Sequence, residues 1–449
     1  MRAGRFVSAM VIGLLALAGA CAQEKAAEKP TRVVRFGKLW DGKGKLWTNA
    51  IVIVKDGKIL SVTTDAAAIP AGAEVIDLSR YSGIPGMIDA HTHMTMYVDE
   101  APAGTAEAAM RKPMLDQLIV TPPAVEVFIA RKGAMRTLET GVTTVRDLGS
   151  DQYLDISMRD LINRGEMIGP RMFVSGYGLS ITSSPYKPGG SFAGGGTADG
   201  VPEVLKAVRQ QIAAGADVIK MYGSTGTFDD VTGFETFNYD EMKAAADMAH
   251  QFGKKIAIHS YGPDGARDAV RAGADTVEHA TDMDDATIQE MVKRGTFYVP
   301  TIDHNRYYVD NGDKIGYAPG YKERLQAYIA RNLETTRKAF KAGVKIGMGS
   351  DAVYTMYGEN TRELGWFVKA GMTPEQALQT ATVNGAALLG KERELGAVAA
   401  GYFADLVAVE GDPLADINVT LNHVKWVMKG GEVVVDKTGG DKPKKAPGQ

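Results

Sequence analysis

Apolar and polar positions divide the chain into short strands and longer amphipathic helices. Ile51-Val52-Ile53-Val54 and Ile59-Leu60-Ser61-Val62 flank Lys55-Asp56-Gly57-Lys58, and Asp-Gly supplies the positive φ angles of a tight hairpin turn. Residues 404–409 and 424–435 read as further strands near the other end, with Gly430-Gly431 as a second turn. Neither terminal segment has enough strands for a stable sheet alone. The economical reading joins residues 23–83 and 400–437 into one small, β-sandwich-like domain.

Between them, β-rich runs alternate with helical patterns. The expected strands are 84–93, 142–148, 171–176, 217–222, 255–259, 276–279, 296–302 and 344–349; the clearest helices are 201–214, 239–252, 263–272 and 322–342. Pro374 after Thr373 marks the first position of a capped helix. Eight strands alternating with helices predict an α/β fold, a closed (β/α)8 TIM barrel over 84–399, with chemistry at the C-terminal ends of its strands. A doubly wound open sheet is the alternative, but no G-x-G-x-x-G follows the first strand. Three stretches, 183–200, 224–238 and 303–320, read as long loops on the catalytic face, where such loops are commonly functional. Gly194-Gly195-Gly196 lacks the following Lys-Ser/Thr of a phosphate loop and reads as a mobile cover.

The first residues break this pattern. Arg2 and Arg5 precede an apolar run over 6–20, too short for a membrane span and typical of a signal peptide over 1–22, cleaved at Ala20-Cys21-Ala22. The rival reading makes Cys21 a lipid-bearing N-terminus, because Leu17-Ala18-Gly19-Ala20-Cys21 is similar to a bacterial lipobox, with Ala18 where leucine is preferred. Either way the expectation is an exported protein, periplasmic or secreted, with a charged tether at 24–31 and a flexible tail at 438–449. Cys21 is the only cysteine, which excludes an internal disulfide and a cysteine nucleophile. A formal charge of −3 gives no reason to expect nucleic acid or an anionic membrane as partner. A homo-oligomer is left open.

Candidate chemistry concentrates at strand ends. His91 and His93 close the first barrel strand, and alternate strand residues share a face. His259 and His279 end later strands, each after an apolar run. Singly, each is more often a hydrogen-bonded core histidine; as a set, they suit a borderline metal such as zinc. Asp351 follows the eighth strand and reads as a ligand and proton shuttle, its alternative being a helix cap. Lys220 ends the fourth strand. An ammonium beside divalent cations would be repelled, whereas reaction with carbon dioxide would make it an anionic carbamate. His250 and His423 read as structural, and Arg146-Asp147 as an ion pair on the second strand.

The set 85–93, Lys220, His259, His279 and Gly349-Ser350-Asp351 resembles the amidohydrolase superfamily, in particular its imidazolonepropionase-like and metal-dependent prolidase branch. Stretches 218–226, 300–308 and 358–371 are also similar to bacterial amidohydrolases that degrade ochratoxin A. The resemblance implies one metal at His91, His93 and Asp351, a second at His259 and His279, and carboxylated Lys220 bridging two divalent ions, zinc by preference. It further implies hydrolysis of dipeptides or N-acyl-L-amino acids carrying a free carboxylate, with Asp351 as acid–base group. Tyr222, Tyr261, His304, Arg306 and Tyr307 are candidates for holding that carboxylate, loop packing being the alternative for each. A deaminase or cyclic-amide hydrolase would share the scaffold, many with one metal and no lysine on strand four. A non-catalytic relative would have lost ligands that this chain keeps.

Overall fold

The computed structural model describes residues 30–99, 121–182, 195–226 and 233–439. The expected signal peptide, Cys21, most of the tether and nearly all of the tail lie outside the described residues, as do parts of two expected loops (183–194 and 227–232). Among the described residues, no helix is long and apolar enough to cross a membrane.

The chain opens with β1 (Arg32–Trp40), β2 (Leu46–Lys55), β3 (Lys58–Thr63) and β4 (Glu74–Pro85). The β2–β3 hairpin turns at Asp56 and Gly57, with φ of 50° and 76°, as the Asp-Gly pair predicts. The first expected barrel strand is divided. Ile84 and Pro85 end β4, and the chain bends at Gly86 into β5 (Met87–Tyr97). A Cβ on Gly86 would stand 2.3 Å from Thr143 Oγ1, so only glycine fits this corner.

The central strands follow: β6 (Val142–Asp147), β7 (Arg171–Val174), β8 (Val218–Tyr222), β9 (Lys255–Ser260), β10 (Thr276–His279), β11 (Phe297–Val299) and β12 (Ala352–Tyr354). They form two four-stranded parallel sheets, ordered β12-β5-β6-β7 and β11-β10-β9-β8. Backbone bonds also join the sheets at both flanks. Leu179 N–H donates to Lys220 O and Leu179 O accepts from Tyr222 N–H, each at 2.9 Å, while Tyr298 pairs with Ile346 and Ala90 N–H donates to Met348 O. The expected strand 344–349 is thus reduced to a single bridge at Ile346.

Helices Gly200–Ala214, Tyr239–Gln251, Pro263–Ala272, Asp285–Arg294 and Tyr321–Ala342 connect or flank these strands, several ending on a left-handed glycine. Pro374–Thr380 begins with the expected cap: the Thr373 side chain accepts from Gln376 N–H, and the Gln376 side chain answers Thr373 N–H. The stretch expected as a loop at 303–320 is instead mostly helix, Ile302–Ile315. Its N-cap residue, Thr301, makes no side-chain cap bond. The Glu363 carboxyl group, distant in sequence, accepts from Ile302 and Asp303 N–H at 2.9 and 2.8 Å.

The last strands, β13 (Leu406–Val409), β14 (Val424–Lys429) and β15 (Glu432–Asp436), return to β4. The order β15-β14-β13-β4-β1-β2-β3 makes one continuous seven-stranded sheet from both ends of the chain, where a sandwich implied two stacked sheets. The parallel pairing of β1 with β4 supplies that continuity. Its apolar core includes Phe36, Leu39, Val52, Leu78, Leu406 and Trp426. Gly430 and Gly431, with φ of 55° and 80°, form the turn between β14 and β15.

Candidate active site

Every residue of β5 is buried, and alternation sends His91 and His93 to the same side. His91 Nδ1 lies 2.8 Å from Glu278 Oε2, which turns Nε2 toward Lys220 Nζ at 3.4 Å and Asp351 Oδ1 at 3.5 Å. His93 Nδ1 meets Gly149 O at 3.0 Å, and its Nε2 lies 3.2 Å from Asp351 Oδ1. His259 and His279, on neighbouring strands, hold their rings 4.5 Å apart, and His279 lies 4.9 Å from the His91 ring. The nitrogens and oxygen that His91, His279 and Asp351 can offer a metal all lie within 4.8 Å of one another. The six residues expected as ligands therefore converge on one buried place.

Local backbone geometry directs them there. His279, Thr301 and Asp351 all adopt left-handed φ, at 73°, 52° and 52°: His279 ends β10, Thr301 follows β11 and Asp351 precedes β12. Such conformations cost non-glycine residues energy and gather at functional sites. At His279 the kink ends the strand's alternation, so that Glu278 and His279, though adjacent, both face His91.

Electrostatics prepares the donors. Burial, and then the Lys220 charge, push His91 down to about 4. Burial likewise holds His259 and His279 well below the ordinary imidazole range, so these rings are neutral near pH 7. Burial alone would raise Asp351, but His304, His91 and His93 hold it well below the usual carboxylate range. Burial lowers Lys220 to about 8, against the pull of Glu278 and Asp351. Among the described residues, His259 Nε2 is buried with no hydrogen-bond partner. A buried imidazole nitrogen without a partner, beside neutral imidazoles and an ionised carboxylate, fits a divalent cation.

The residues expected to hold substrate divide. The rings of Tyr222 and Tyr261 lie 5.5 and 5.1 Å from His259, and Tyr261 stacks on Tyr328. His304 turns to Asp351, with Nδ1 2.7 Å from its main-chain oxygen and Nε2 3.2 Å from Oδ2. Tyr307 is buried, and its hydroxyl bonds Thr355 Oγ1 at 2.7 Å. Arg306 does not suit the expected role: Asp303, Asp310 and Glu359 surround its guanidinium, and an acidic setting of that kind repels a substrate carboxylate. Away from the site, His250 pairs with Asp275, and His423 meets the Glu410 main chain.

Arg146 and Asp147 are not an ion pair. Successive strand residues point to opposite sides: Asp147 accepts from Met94 N–H, while Arg146 reaches Glu278 Oε1 at 2.8 Å. The Arg146 charge and the His91 bond outweigh burial and bring Glu278 down to about 2. Sequence reasoning missed Glu278. Its signal was an acidic residue inside an apolar strand, overlooked beside the more conspicuous His279. Asp89, also missed, accepts from Ser350 N–H and Oγ–H and from Asn360, fastening the segment before His91 to the one before Asp351.

The sequence pattern of the amidohydrolase family matches residues 84–434. The chain belongs to the amidohydrolase family. It is an enzyme, a hydrolase acting on amide bonds. Within this family setting, the ochratoxinase of Aspergillus niger is 30% identical over 439 residues, spanning 90% of this chain and 87% of that protein. A solved Xaa-Pro dipeptidase with methionine bound in its active site shares 30% identity, with a TM-score of 0.79 over 90% of this chain and 99% of that one. A prolidase complexed with N-methylphosphonate-L-proline shares 27% identity, with a TM-score of 0.80 over 90% of this chain and all of that one.

Proposed function

We propose that this amidohydrolase uses two divalent cations to hydrolyse the amide bond of dipeptides or N-acyl-L-amino acids with a free carboxylate. The carrying observation is the convergence of His91, His93, Lys220, His259, His279 and Asp351, with His259 Nε2 lacking a hydrogen-bond partner among the described residues. The parallel sheets, linked at both flanks, support reading the fold as one (β/α)8 barrel with this cluster at its mouth.

His91, His93 and Asp351 would hold one cation, and His259 and His279 the other. When bound, the cations polarise an amide carbonyl and lower the pKa of water to about 7. Zinc suits a site rich in imidazole. Lys220, buried with its Nζ 3.4 Å from His91 Nε2, would bridge the cations as a carbamate: its neutral amine adds to the carbon of carbon dioxide and releases one proton. That conversion replaces a cation with an anion in a place that repels positive charge.

Asp351 takes a proton from the attacking water and returns it to the leaving nitrogen. His304 orients Asp351 by donating from Nδ1 to its main-chain oxygen. Tyr222 and Tyr261 lie beside His259 and offer hydroxyl donors to a substrate carboxylate. Similarity to an ochratoxinase and to dipeptidase structures supports a substrate whose leaving group is an amino acid, with ochratoxin A, cleaved to ochratoxin α and phenylalanine, among the candidates.

The test is a screen of zinc-loaded protein against dipeptides, N-acyl-L-amino acids and ochratoxin A, reading released amino acid. Hydrolysis of at least one such class, abolished by chelation, is expected. Loaded protein inert across the panel, or equally active without metal, contradicts the proposal.

A further inference from the structure

Arg146 crosses the interior beneath the site and joins the two parallel sheets. From β6, its Nε donates to Ala90 O on β5 at 2.6 Å. Its Nη1 donates to Thr276 Oγ1 at 3.0 Å and its Nη2 to Glu278 Oε1 at 2.8 Å, both on β10. Thr276 also donates to Glu278 Oε1. One carboxylate oxygen is thereby fixed, and the other, Oε2, lies 2.8 Å from His91 Nδ1. The Glu278 side chain is fully buried and that of Arg146 is 2% exposed.

A buried ion pair is weak evidence for stability, because desolvating both charges offsets their attraction. Its value here lies in direction. A carboxylate can only accept, so His91 must carry its proton on Nδ1, which leaves the Nε2 lone pair facing Lys220 and Asp351. His93 reaches the same tautomer by another route, through a main-chain oxygen of Gly149. For His279, Nδ1 meets the Thr301 hydroxyl, which can donate or accept and so imposes no tautomer.

We propose that the Arg146–Glu278 pair is a positioning device that locks His91 in the Nδ1–H tautomer and thereby sets metal affinity at the His91 side of the cluster. The inference rests on the two-cation reading above. It makes an unusual claim about Glu278→Gln. A glutamine has one acceptor oxygen where two donors, Arg146 Nη2 and His91 Nδ1–H, each need one. The guanidinium charge has the stronger claim, so the amide nitrogen turns to His91 and donates to Nδ1. The proton of His91 then moves to Nε2, which blocks ligation.

The experiment compares wild type with Glu278→Gln, measuring zinc affinity by chelator competition and the His91 tautomer by 15N NMR of histidine-labelled apoprotein, assigned with His91→Asn. The expected result is a shift of His91 from Nδ1–H to Nε2–H and an affinity loss of about 10–100-fold, the usual scale for partners of metal-bound histidines. Glu278→Asp, which keeps two acceptor oxygens, should restore the tautomer and part of the affinity. If Glu278→Gln fails to fold by circular dichroism, the wild-type apoprotein carries the test: His91 should be the Nδ1–H tautomer, and an Nε2–H ring there overturns the inference. Unchanged tautomer and affinity in folded Glu278→Gln overturn the inference. Wild type that binds no zinc overturns the two-cation reading instead.

Discussion

His304 contacts Asp351 through both ring nitrogens, at 2.7 Å to the main-chain oxygen and 3.2 Å to the carboxylate. Burial lowers His304, and a neutral ring donates only once: Nδ1–H holds the main chain of a residue already in a left-handed conformation. His304→Gln keeps at most one of these contacts. Its kcat should fall about 10–100-fold, at or below the lower edge of the roughly 100–10,000-fold that acid–base groups contribute, with KM changed far less and metal content retained. Steady-state kinetics with metal analysis checks this; an unaltered kcat would remove His304 from the account.

Lys220 is the most diagnostic single side chain, being fully buried among the imidazoles and Asp351. Lys220→Ala should lower activity by at least about 1,000-fold, since on the proposed two-cation reading it removes a shared ligand, and short carboxylic acids added to the assay should restore part of it. Full activity without rescue would show that no carbamate is needed.

Arg306 gives a prediction of the opposite kind. Its guanidinium lies among Asp303, Asp310 and Glu359, with Asp303 nearly fully buried. Arg306→Met should leave KM for carboxylate-bearing substrates within about threefold, yet destabilise the fold by about 1.5–3 kcal/mol, because buried Asp303 loses a charged donor while keeping Trp366 Nε1–H and Arg362. Urea denaturation and substrate titration separate the two effects. A large rise in KM with unchanged stability would return Arg306 to the substrate site.

The chemistry of the site was legible because it is carried by residue type at strand ends. Apolar runs closing in His91, His93, Lys220, His259 and His279 announce both a parallel sheet and a set of donors. The hairpin at Asp56-Gly57 and the cap at Thr373 were legible because those signals are local. What escaped was decided across long stretches of chain. The helix Ile302–Ile315 is capped by Glu363, some sixty residues away, so nothing beside Thr301 announced a start. Arg146 sits next to Asp147 in sequence but bonds Glu278 on the opposite sheet. Alternation along β10 could not reveal that Glu278 and His279 both face His91, because it fails where His279 turns left-handed.

Glu363 also ties stability to pH. Burial outweighs its two backbone donors and pushes its carboxyl up to about 8, above the ordinary 4.5. The folded state therefore keeps a proton that the unfolded chain has released between those values. The resulting stabilisation is complete below about pH 4.5 and is lost as pH rises through 8. One such proton gives a slope of at most about 1.4 kcal/mol per pH unit. Denaturation of wild type and Glu363→Gln between pH 5 and 8 should show wild type losing stability relative to the variant. A constant difference would mean that Glu363 is ionised throughout.

The measurement that bears most directly on the site is metal content per chain, by plasma emission spectrometry on protein reconstituted with zinc and bicarbonate. Two equivalents are expected for wild type, falling to about one in His259→Asn, with carboxylated Lys220 detected by 13C NMR after 13C-bicarbonate labelling. One equivalent or none in wild type, with no labelled carbamate, would contradict the two-cation centre.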